Sequence, residues 1–216
     1  MDAHFEKTNS TSSCSKEDPD MVINRFEFCG HELHITRDFS KNVGVAIVIW
    51  EPGRVLCHYF EEAQIVFAEK KVIELGSGTG LVGILAAMLG GHVTLTDQPK
   101  VLSQIEYNVT SNIPSANLHL AKVCALSWGR DHYQFPSDYD YILGSDIVYK
   151  SHEFDLLINT LLHLSNQNTI IYLSSKMRQD MGTIDFFENR IPEYFNREIV
   201  HRIAEKKINV YKLTKK

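Results

Sequence analysis

The 216 residues, 44% hydrophobic and 23% charged, suit one compact domain with a sizeable core and are too few for two ordinary domains and a linker. A formal net charge of −5 with scattered lysines and arginines disfavours direct nucleic-acid binding, and no apolar run approaches the roughly 18 residues of a membrane span. Four cysteines without a C-x-x-C pair and ten histidines without ligand spacing point to reduced thiols and no metal.

Residues 1–20 are polar, contain Pro19 and bury too little to offset their ordering entropy, so a disordered tail is expected ahead of a single domain over 21–216. They show neither a secretory nor an organelle-import pattern, which makes a cytoplasmic location the expectation. INRFEF and HELHIT alternate around Cys29-Gly30 and predict a β-hairpin. After Trp50, the Pro52-Gly53 pair opens a helix carrying Val55, Leu56, Tyr59 and Phe60. From Lys71 a strand–helix rhythm runs through VIEL, LVGILAAML, HVTLT, VLSQIEYNV and LHLAKV. It continues through YDYILGS, FDLLINTLLHL, TIIYLSS and IDFFENRIPEYF, which predicts a doubly wound α/β sheet. REIVHRI and INVYKL, joined by a short polar turn, predict an antiparallel hairpin at the end.

The chemistry concentrates in VIELGSGTG, residues 72–80, where three alternate glycines follow a buried strand and precede a helix. Such a loop brings backbone N–H groups close to a ligand. Gly78, Gly80 and Gly83 also spell G-x-G-x-x-G, a dinucleotide fingerprint, so the spacing alone leaves two readings. Glu74, the earlier Gly76 and the final hairpin favour a methyl-donor site, because an acid at the strand end faces a cation better than a pyrophosphate. Glu74 paired elsewhere in the core is the structural alternative. Asp97 closes HVTLTD beside the loop, where a carboxylate accepts bonds from ribose hydroxyls; its alternative is a cap on the next helix.

With these residues in place, the chain from about 23 to 213 resembles the methyltransferase-like family of non-SET protein lysine methyltransferases. The shared segments are FCGHELHIT, Gly44-Val45-Ala46 to Trp50, VIELGSGTGLVGILAA, LSWG at 126–129 and GSDIVY at 144–149. The resemblance implies a Rossmann-like class I (seven-β-strand) fold and S-adenosyl-L-methionine as cofactor. Beside Glu74, whose position already points to a cofactor contact, it implies cofactor contacts at Trp50, Gly76, Ser77, Gly78, Asp97, Trp128 and Ser145, with serine standing where the family has alanine. For the two tryptophans, core packing is the structural alternative.

Asp146 and Tyr149 form the D-x-x-Y element that similar enzymes place at the transfer site, and are expected to orient an incoming amine; a helix cap is the alternative for Asp146. Adenine and glutamine N-methyltransferases usually carry a proline-containing NPPY-type segment at this point, so the resemblance of the proline-free SDIV to the lysine enzymes implies lysine over a planar amide or base nitrogen. FCGH at 28–31 and SSKMRQDMGTIDFF at 174–187 look most like enzymes acting on translation elongation factor 1-alpha, with those acting on Hsp70-type chaperones next. A monomer acting on a folded protein substrate is expected, read by the hairpin and the loop from Lys176 to Gly182. Centrosomal or cytoskeletal association is implied by the resemblance alone.

Overall fold

The computed structural model describes residues 19–216, so the expected tail at 1–20 lies almost wholly outside the described residues. Strands β1 (Met21–Phe28) and β2 (His31–Asp38) pair antiparallel, and the turn residues Cys29 and Gly30 both take positive φ, 53° and 74°. A two-residue turn of that hand matches the twist of the strands it joins, which is why the sequence signal was reliable here.

Helix α1 (Glu51–Glu62) starts with Pro52 in its first turn. There follow β3 (Lys71–Leu75), α2 (Leu81–Met88), β4 (His92–Asp97), α3 (Leu102–Asn112), β5 (Ala121–Ala125), β6 (Tyr141–Ser145), α4 (Phe154–Leu164) and β7 (Ile170–Lys176). A short α5 (Thr183–Asp185) precedes β8 (Phe195–Ile203) and β9 (Ile208–Lys215). The seven strands β3–β9 lie in the order β5-β4-β3-β6-β7-β9-β8, the first five parallel and β9 antiparallel to both β7 and β8. The α/β sheet and both hairpins are thus as the sequence predicts.

Two boundaries differ. LHL at 118–120 belongs to a 3-10 turn, Ser115–Leu120, and not to the strand, which begins at Ala121. The helix expected over IDFFENRIPEYF breaks into α5, a π turn Phe186–Arg190 and a 3-10 turn Ile191–Glu193, because Pro192 has no N–H to continue the helical ladder.

One face of the sheet is covered by α1, α2, α3 and the N-terminal hairpin, through Leu33, Ile35, Leu56, Phe60, Ile84 and Ile105; α4 and the segment around Phe186 and Phe187 cover the other. Helix α2 is buried from Leu81 to Ala87 and apolar all round, as fits a helix sandwiched between sheet and hairpin. The outer edge of β2 would present unpaired backbone groups, and α3 satisfies them with a row of amides spaced one turn apart. Gln104 bonds Asp38 N–H and Thr36 C=O, Asn108 bonds both backbone groups of Thr36, and Asn112 does the same for His34. Asn108 Nδ2 also donates to Thr79 C=O at 2.8 Å, so the same side chain ties the hairpin to the glycine loop.

Candidate active site

The chain leaves β3 outward to β4 and β5, then returns to the other side of β3 as β6. Open α/β sheets bind ligands where the strand order reverses, at the carboxyl ends of the strands. A cavity of about 670 Å³ lies there, lined by the Val45–Trp50 stretch, the glycine loop, Asp97, Trp128, Ser145–Ile147, Tyr149 and Arg178. All ten site residues expected from the sequence border this one cavity.

Gly76 and Gly78 have φ of 62° and 56°. Ser77 between them extends the β3–β4 pairing by one step: its N–H donates to Thr96 C=O at 3.0 Å, and its Oγ accepts the Thr96 N–H at 3.1 Å. Its hydroxyl also bonds the Glu74 carboxyl. The serine therefore shapes the loop from beneath.

Glu74 is 1% exposed and accepts the Gly83 N–H through Oε2 at 3.1 Å, joining β3 to the first turns of α2. Burial pushes its carboxyl up to about 8, against the smaller opposing pull of Ser77 and the Gly83 N–H; neighbouring Asp97 adds to the rise. The unfolded chain ionises near 4.5 while the folded chain keeps the proton to about 8, so stability drains as pH climbs through that window. Glu74→Gln keeps the acceptor and cannot ionise. It should melt above wild type at about pH 8 and converge with it toward about pH 5, followed by calorimetry; a gap independent of pH would show that Glu74 is ionised in the fold.

Asp97 Oδ2 accepts the Gly78 N–H at 2.8 Å and Oδ1 accepts the Gln98 N–H at 2.7 Å. Burial raises its carboxyl above the usual range, opposed by those two bonds. The N-cap of the following turn, Pro99–Val101, is Gln98, so Asp97 fastens the glycine loop to the end of β4 and does not cap a helix with its side chain.

Trp50, 40% exposed, sits at the N-cap of α1 and donates its indole N–H to Val45 C=O at 3.1 Å. Trp128 is half-buried, with Cζ2 3.5 Å from where a Cβ on Gly76 would stand. The two rings thus stand on different elements bordering the cavity. Ser145 ends β6, and its Oγ lies 3.2 Å from the Cβ position of Gly53, close to the start of α1.

Asp146 has φ of 53° and donates its N–H to Ser174 C=O at 2.8 Å. Its carboxylate is gripped by Arg178: Nη1 donates to Oδ1 and Nη2 to Oδ2, both at 2.7 Å, and the Lys176 N–H adds a third bond at 3.1 Å. No helix starts at Asp146; the next turn begins at Ser151. Tyr149 faces the cavity with the Lys150 ammonium 5.4 Å from its ring centroid. Arg178 went unnoticed in the sequence, because an arginine within a polar loop carries no periodic signal and its partner lies 32 residues away.

The sequence pattern of lysine methyltransferases matches residues 27–191. The chain belongs to this lysine methyltransferase family. It is 53% identical over 190 residues to EEF1A lysine methyltransferase 3 of Xenopus tropicalis, covering 88% of this chain and 84% of the relative. It is 47% identical over 163 residues to the protein N-lysine methyltransferase METTL21A of the same organism, covering 76% and 74%. Among solved structures, magnesium protoporphyrin IX methyltransferase from Synechocystis PCC 6803, with bound SAH, is similar at a TM-score of 0.57 and 13% identity, over 76% of this chain and 82% of that one. Like its family, this lysine methyltransferase uses S-adenosylmethionine as methyl donor and takes a protein substrate. No helix among the described residues is long and apolar enough to cross a membrane, and no group of candidate metal ligands is present among them.

Proposed function

We propose that this enzyme transfers a methyl group from S-adenosylmethionine to a lysine of translation elongation factor 1-alpha. The observation that carries the reading is the match over most of the chain to relatives from Xenopus tropicalis and Mus musculus that bear this substrate in their names, at 53% and 50% identity. Mass spectrometry of elongation factor 1-alpha from cells with and without this protein tests it. A lysine should lose its methylation when the protein is absent, and an unchanged methylation map would refute the substrate.

The residues present fit the donor. Asp97 keeps carboxylate lone pairs for ribose hydroxyls at the end of β4, Gly76 and Gly78 leave the loop backbone bare, and Glu74 puts a buried carboxyl in the wall beneath the loop. Trp50, Ser77, Trp128 and Ser145 complete the wall that would hold it. When bound, the donor supplies a methyl group on a sulfonium sulfur. Transfer to nitrogen is an in-line displacement, so the chain's task is to hold the amine on that line, keep it neutral and exclude water. Tyr149 and the ring of Trp50 line the path for the lysine stem, and desolvation there lowers the amine below its usual value of roughly 10.4.

Asp97→Ala should weaken S-adenosylhomocysteine binding in calorimetry on the scale of charge-assisted hydrogen bonds, each roughly 1.5–3 kcal/mol. Part of the loss reflects the freed Gly78 N–H. Unchanged affinity would confine Asp97 to fastening the loop.

A further inference from the structure

Strand order assigns the ends of the cavity. Asp97 lies on β4, the glycine loop follows β3, Asp146 follows β6 and Arg178 follows β7, so the crevice runs from a ribose end on β4 to an acceptor end over β6 and β7. At the acceptor end Arg178 spans the mouth. It holds Asp146 through two 2.7 Å bonds while its guanidinium carbon lies 5.9 Å from the Trp50 ring centroid. The Asp146 side chain is 3% exposed and that of Arg178 18%. This planar two-point grip is fixed in direction, and a guanidinium holds its charge at every working pH.

We propose that Arg178 is a positioning residue for methyl transfer: clamped on Asp146, it cancels the charge of that carboxylate, so the acceptor lysine lies at the site as a neutral amine and not as an ion pair with Asp146. Displacement at the methyl carbon needs the nitrogen lone pair. A bare carboxylate within about 4–6 Å of the amine would favour the ammonium and raise its pKa by roughly 1–3 units, removing tenfold of reactive amine per unit. Arg178 reverses that balance. The other charged and titratable groups facing this space do not replace it. Lys150 and Glu153 pair with each other at 3.2 Å, Asp180 lies on Arg178's own loop, the Tyr149 ring faces the Lys150 ammonium, Arg130 adds a guanidinium, Glu74 is buried on β3 beneath the glycine loop, and Asp97 stands at the far end on β4. The proposal rests on lysine as acceptor, whichever protein carries it.

The test uses the full chain with tritiated donor at saturation and, as acceptor, an extract of cells lacking this protein, counting methyl-lysine after hydrolysis across roughly pH 6.5 to 10. In Arg178→Gln the rising limb of rate against pH should move to higher pH by about one unit or more, so the rate near neutrality falls roughly tenfold or more. Arg178→Lys should retain part of the wild-type position, since it keeps a charge but loses the fork. Asp146→Asn combined with Arg178→Gln should return the limb to the wild-type position, which a purely structural role does not predict. S-adenosylhomocysteine affinity, read separately by calorimetry, should stay within about twofold in all variants. A limb unmoved in Arg178→Gln, a double variant no better than the single, or lost cofactor affinity in both would overturn the proposal and leave Arg178 a structural strut.

Discussion

As the proposed acceptor, intact elongation factor 1-alpha should be methylated with a kcat/KM on the order of a hundredfold above that of a roughly 15-residue peptide carrying the same lysine. The reason lies at the cavity mouth, where Val45, Val48, Trp50 and Met181 are all exposed apolar side chains. All four line the cavity, Met181 from the loop after β7, and offer apolar area to the shaped surface of a folded partner. A flexible peptide would bring the lysine and a few neighbours but bear its own ordering, roughly 2–5 kcal/mol, which converts to about 30-fold up to several thousandfold. A preformed partner has met that cost in its own folding. Comparable kcat/KM for the two acceptors would move recognition into the Asp146–Tyr149 channel itself.

Gly76→Ala should lower the melting temperature by an amount on the order of 5–15 °C and strip most of the affinity for S-adenosylhomocysteine. At φ 62° a Cβ is strained by roughly 1–2 kcal/mol, and here it would stand 2.8 Å from Ile147 Cγ2, which adds overpacking of roughly 1–3 kcal/mol. Ile147 borders Asp146 and Trp128 stands on the other side, so relief of the clash moves cavity walls on both flanks. Gly30→Ala is the control: φ is 74° but no atom lies within 4 Å of its Cβ position, so it carries the strain without the clash. Equal losses in thermal melts of the two variants would show that strain alone governs Gly76.

What the sequence disclosed follows the range of its signals. Strands such as VIEL and TIIYLSS read clearly because they are buried on both faces and need continuous apolar runs, and Cys29-Gly30 read clearly because its turn is local. The glycine loop, Glu74 and Asp97 were legible because each sits at a fixed offset from a strand end. Partnerships between distant polar residues were not. Gln104, Asn108 and Asn112 look like ordinary polar helix positions, yet they complete the edge of β2 across some seventy residues of chain. Arg178 and Asp146 likewise meet only after β6 and β7 have paired. The cavity wall at Asp146 is thus built by tertiary contacts that no local period records.

The position of β9 bears on how the chain is made. Residues 208–215 emerge from the ribosome after every other strand among the described residues, yet they fill an interior place in the sheet, bonded to β7 on one side and β8 on the other. Until they emerge, β7 presents a row of unpaired N–H and C=O groups, and Phe195 and Ile199 of β8 lack the strand that seats them. A nascent chain that stops short of residue 208 is therefore the form most exposed to wrong pairing between copies. Synthesis arrested just before residue 208 should leave an aggregation-prone product although every residue lining the cavity is already encoded.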